Sequence, residues 1–67
     1  MKIETNKQFN IAVVNGDDYI IVCSDDSKEV MDAMYTWYVN HCEFFNGSIQ
    51  LWDNGKLIAK TNYKEVI

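Results

Sequence analysis

The sequence predicts an α+β fold of order ββαββ, a four-stranded and mostly antiparallel sheet with one amphipathic helix packed on one face. Three observations carry this expectation. Two β-branched runs near the N-terminus are joined by NGDD, apolar residues recur at three- and four-residue spacing from Ser27 onward, and Asn54-Gly55 separates two further strand-like runs. The 67 residues make a single domain, 1–67, without a linker, repeat or low-complexity segment.

The first hairpin pairs KQFNIAVV, residues 7–14, with YIIVC, residues 19–23, across the loop Asn15 to Asp18. In that register Val14 faces Tyr19, Val13 faces Ile20 and Ile11 faces Val22. One face then carries Phe9, Ile11, Val13, Ile20 and Val22, and the other Ala12, Val14, Tyr19, Ile21 and Cys23. From Ser27 the stripe Val30, Met34, Trp37, Tyr38, His41 and Phe45 predicts a helix that ends near Asn46-Gly47. Asp26 is its expected N-cap, with Glu29 at N3 in a variant capping box.

The second hairpin joins SIQLWD, residues 48–53, to KLIAKTNY, residues 56–63, across Asn54-Gly55, the pair best suited to the positive φ angles of a type I′ turn. Asp53 then pairs with Lys56, Trp52 faces Leu57 and Leu51 faces Ile58. Trp52, Leu57, Ala59 and Tyr63 fall on one face, and Ile49, Leu51, Ile58 and Lys60 on the other. A helical crossover makes the third strand run in the direction of the second, so the orders 1-2-4-3 and 1-2-3-4 both remain open.

A chain this short hides only about 60% of its unfolded surface and needs some extra source of stability. Disulfide bonding does not supply it. Cys23 precedes the predicted helix and Cys42 lies near its end, about 25 Å away at 1.5 Å per residue, against the roughly 7 Å between Cα atoms that a bridge tolerates. Both are read as reduced thiols. The supply of two Trp, four Tyr and three Phe points to dense aromatic packing instead.

Bulk chemistry narrows the function classes. A net charge of −4 and a pI near 4.6 argue against direct nucleic-acid binding, whose affinity comes from neutralising phosphates, and favour a protein partner with a basic surface. The first ten residues lack the apolar run of a signal peptide, and no stretch approaches the roughly 18 apolar residues of a membrane span. The expectation is a cytoplasmic protein without membrane association. The chain has neither Arg nor Pro and is rich in Asn, Ile, Lys and Tyr, as an AT-rich genome encodes. Phage and low-GC bacterial genomes both fit, and a phage-encoded product would act in the host cytoplasm.

Two Asp pairs, Asp17-Asp18 and Asp25-Asp26, flank an apolar run. The first sits in a turn and the second at a helix start, where carboxylates bond nearby backbone N–H groups. They lie about 20 Å apart along an extended strand at 3.3 Å per residue, too far to share an ion, and no calcium-loop pattern is present. No metal or cofactor is expected. The carboxylates of Asp25, Asp26, Glu29, Asp32 and Glu43 nevertheless fall along one predicted helix face, an acidic ridge able to occupy a basic groove on a partner protein.

Apolar surface is in surplus, because both faces of each hairpin carry large apolar residues and one helix covers one face. Met31 and Tyr35, with Val39 and Cys42, also widen the helix's apolar surface. Tyr19, Ile21, Met31, Tyr35 and Trp52 are therefore the expected apolar residues of a partner or homodimer interface. His41 lies on the predicted apolar helix face, and no nucleophile elbow, P-loop, GxGxxG or HExxH pattern occurs, so no enzymatic activity is expected. The sequence points to a non-enzymatic acidic protein-binding module, a phage-type inhibitor or adaptor acting on a host protein such as a nucleic-acid-processing or defence enzyme. The alternative is a structural homo-oligomer that pairs through its open sheet face.

Overall fold

A computed structural model describes residues 5–41 and 47–63. Four strands, β1 (Phe9–Asn15), β2 (Asp18–Asp25), β3 (Gly47–Asp53) and β4 (Lys56–Tyr63), form one sheet, with helix α1 (Lys28–His41) between β2 and β3 in the chain. The α+β class and the ββαββ order are those expected. Every neighbouring pair is antiparallel. None of the described helix is long and apolar enough to cross a membrane.

The strand order is β2-β1-β3-β4, neither of the two orders left open by the sequence. β3 does run in the direction of β2, as expected, since both are antiparallel to β1. What sequence could not show is that α1 carries the chain past β1, so that β3 docks on the far side of it. This places at the centre the two strands with the most completely buried residues: Phe9, Asn10, Ile11 and Ala12 on β1, and Ser48, Ile49, Gln50 and Leu51 on β3.

Both hairpins close through two-residue loops. Asn15 pairs with Asp18, so Gly16-Asp17 is the first loop, and Gly16 holds a φ of 64° while Asp17 does not turn positive. Positive φ at the first central residue alone is the pattern of a type II′ turn. The second loop is the expected type I′, with φ 50° at Asn54 and 81° at Gly55.

Each outer strand then carries an irregularity that the expected registers lacked. Val14↔Tyr19 and Val13↔Ile20 stand as expected, but Ile11 pairs with Cys23 and not Val22. Trp52↔Leu57 and Asp53↔Lys56 likewise hold, and Leu51 pairs with Ala59 and not Ile58. A bulge adds one residue to one strand and shifts everything beyond it by one. Cys23, Ala59 and Tyr63 consequently move to the helix side, and Lys60 moves to the opposite side beside Gln50.

Helix α1 starts one residue later than the capping argument placed it. Ser27 is the N-cap: its Oγ accepts from Val30 N–H at 3.3 Å, and its carbonyl accepts the first helical bond from Met31 at 3.1 Å. Asp26 instead accepts from the Gln8 backbone at 2.8 Å, and Asp25 accepts from Ser27 N–H at 2.8 Å. The shift removes the Asp26/Glu29 capping box.

The helix also turns a different face inward. Met31 is fully buried, packed with Phe9, Ile11, Ile49 and Leu51, and Met34, Tyr35 and Tyr38 press on that cluster. Tyr35 Oη lies 2.8 Å from Thr61 Oγ1 and donates to Ile49 O, Tyr38 Oη donates to Val22 O, and Tyr63 Oη donates to Val39 O. Three tyrosine hydroxyls thus tie the helix across β2, β3 and β4. Val30 and Trp37, expected in the apolar stripe, are 45% and 50% exposed. His41 is exposed too, stacked on Trp37 with centroids 4.3 Å apart and with its Nδ1–H donating to Trp37 O.

Candidate functional site: the open face of the sheet

The face of the sheet opposite α1 is polar at its centre, where an apolar surface was expected. Asn10, Ser48 and Gln50 point to this side and are buried. Asn10 Oδ1 accepts from Thr5 Oγ1 and Ser24 Oγ, both at 2.6 Å, and its amide donates to Lys7 O. Gln50 donates to Ser48 Oγ at 3.0 Å and accepts from Trp52 Nε1 at 2.9 Å. Buried amides are tolerated because each finds partners. The segment from Thr5 to Gln8 is held at this end by Asn10 and by the Asp26 carboxylate, so part of the open face is closed by the chain itself.

Beside this network lies a concavity of about 340 Å³, lined by Val14, Tyr19, Gln50, Trp52 and Leu57, with Gly16-Asp17 at one end. Pleating puts these side chains on one side: Val14 pairs with Tyr19, and Trp52 with Leu57. The indole is fixed by its bond to Gln50, which in turn is fixed by Ser48. Tyr19 and Leu57 are 41% and 39% exposed, so the pocket is accessible as well as apolar. A fixed apolar cleft with a few convergent polar groups is the usual form of a binding site. Its volume suits one or two side chains of a partner.

The residues expected from sequence separate into groups. Tyr19 and Trp52 come together in the concavity. Ile21 lies on the same side of β2, half-buried, opposite Ala12. Met31 and Tyr35 are spent in the core and its hydrogen bonds, and are not placed to meet a partner. Of the acidic ridge, Glu43 lies outside the described residues, as do Cys42, Phe45 and the C-terminal Val66-Ile67. Asp26 is salt-bridged to Lys7 at 3.7 Å, and Asp32 to Lys28 at 2.6 Å. Asp25 accepts from Ser27 N–H at the helix start, and neither it nor Glu29 has an ion pair among the described residues. Two lysines among four carboxylates make this ridge a weaker field than the sequence suggested.

Sequence reasoning missed Val14, Leu57 and Gln50 as parts of one site. Their alternation was legible, but only the β1–β3 pairing brings the two hairpins side by side. Cys23 is a free thiol whose sulfur lies 3.8 Å from Met31 Sδ. Burial first, and the Asp25 carboxylate second, push it above its ordinary thiol value, which disfavours the reactive thiolate. No cluster of His, Cys, Asp and Glu able to hold a metal ion exists among the described residues. No protein-family model, no curated protein and no solved structure matches this chain.

Proposed function

We propose that this chain is a non-enzymatic protein-binding module, a small acidic inhibitor or adaptor that receives a basic partner on the open face of its sheet. The observation that supports this reading is the accessible concavity of Val14, Tyr19, Trp52 and Leu57 with Asp17 at its end and Asp18 beside it. An apolar side chain of the partner fills the cleft, and a neighbouring Lys or Arg meets the Asp17-Asp18 carboxylates. The described residues pair neither carboxylate with a cation, so both remain to attract one. The first Asp pair thus becomes the recognition element, and the second is occupied with holding the N-terminal segment and the start of α1.

The test is a peptide selection against the immobilised chain. Binders are expected to carry an aromatic or branched aliphatic residue next to Lys or Arg. Selection repeated on the Asp17→Lys, Asp18→Lys double variant should enrich acidic residues in place of basic ones. An unchanged basic preference would remove these carboxylates from recognition.

Self-association is the second reading, favoured by the outer edges of β2 and β4, which pair with no strand among the described residues.

A further inference from the structure

Among the described residues, the order β2-β1-β3-β4 leaves β2 and β4 each with one edge that no strand pairs. A free edge offers a row of backbone donors and acceptors to another strand, and chains that stay apart usually guard it with Lys, Pro or a bulge. β4 carries exposed Lys56 and Lys60 around Leu57, Ile58 and Ala59. β2 carries a bulge at Val22 but neither Lys nor Pro over Tyr19, Ile20 and Ile21, and Ile20 is 67% exposed. Its charges stand at its two ends, and they are acidic where those of β4 are basic.

Pairing of β2 with β2 of a second copy is opposed by this pattern. The register that uses the whole strand sets Asp18 against Asp25 twice, and like charges directly opposite one another are destabilising. Pairing of β2 with β4 of a second copy is favoured on two grounds. The strands alternate in direction across the sheet, so a copy placed beside the first by translation brings its β4 antiparallel to β2. The end row across the sheet reads Asp25, Phe9, Asp53, Lys56, so the same translation delivers Lys56 of one copy to Asp25 of the next. In that register Lys60 falls beside Ile21 and Thr61 beside Ile20. Open-face residues then meet open-face residues, helix-side residues meet helix-side residues, and both sheets continue with their helices on one side.

We propose that this chain associates head to tail with copies of itself, the β4 edge of one copy adding antiparallel to the β2 edge of the next, with Lys56 meeting Asp25. This rests on the self-association reading and is independent of the concavity. The contact is heterologous, so it closes into a ring or extends as a filament according to the rotation between copies. Backbone bonds and exposed ion pairs carry it, which makes it weak, concentration-dependent and sensitive to salt.

Two variants separate the edges without touching the core. Ile20→Lys blocks β2 and leaves β4 intact, while Lys56→Glu with Lys60→Glu blocks β4 and leaves β2 intact. All three positions are exposed, and circular dichroism checks that each variant keeps the wild-type fold. Sedimentation at low salt should show wild-type mass rising above the 7.8 kDa monomer with concentration. Each variant alone should stay monomeric, and their equimolar mixture should give a dimer and nothing larger. If the wild type associates but the mixture stays monomeric, the edge pairing is overturned and self-association survives through another surface. If the Lys56→Glu, Lys60→Glu variant dimerises alone, β2 pairs with itself. A wild type that is monomeric at every concentration overturns the self-association reading and this inference with it.

Discussion

Asn54 and Gly55 illustrate how far single residues can be read. Both hold positive φ, and an added Cβ at Gly55 would meet nothing within 4 Å, so any cost of substitution comes from backbone alone. Gly55→Ala should therefore destabilise the chain by about 1–2 kcal/mol in a denaturant titration without changing its core. This turn was legible because its chemistry is local. The bulges at Val22 and Ile58 were not, because nothing in either strand's own sequence says where a neighbouring strand slips. Cys23 shows the consequence: one inserted residue turns it from the open face into the core. Its thiol is raised, so the native state holds the proton longer than the unfolded chain does. Stability is then full below the ordinary thiol range and declines as pH climbs from there toward the raised value. Cys23→Ala should flatten part of the alkaline fall in Tm, and parallel slopes in the two proteins would deny that contribution.

At the scale of elements, α1 was legible in period but not in phase. Val30, Trp37 and His41 lie on one flank of it and Met31, Tyr35 and Tyr38 on another about 100° round, with Met34 between them pressed on the core. The sheet selects the second because its tyrosine hydroxyls reach Val22 O, Ile49 O and Thr61. Met31→Ala should cost about 2–5 kcal/mol. Trp37→Ala should cost about 1 kcal/mol, the worth of its aromatic contacts. A larger loss from Trp37→Ala than from Met31→Ala would mean that the two faces have been exchanged. The N-cap offers a second check, since Ser27→Ala should lose about 1 kcal/mol while Glu29→Gln, with no cap role here, should be nearly neutral by thermal melting.

At the scale of the molecule, the two hairpins are arranged with approximate two-fold character about the β1–β3 pairing. Each has a two-residue loop and a bulged outer strand, and the loops lie at opposite ends of the sheet. One helix cannot cover both sides of such a sheet. The chain meets the uncovered side partly with buried amides, Asn10 and Gln50, and partly with an apolar cleft left accessible. The surplus of apolar residues was visible in the sequence, but the polar centre was hidden because Asn and Gln within strands read as weak strand formers. In the function proposed above, recognition belongs to this uncovered side and not to the exposed helix flank. Peptide selection run in parallel on the wild type, Leu57→Asp and Trp37→Ala tests it most directly. The wild type and Trp37→Ala should enrich the same peptides and Leu57→Asp should enrich none, whereas binding that survives Leu57→Asp and disappears with Trp37→Ala would contradict it.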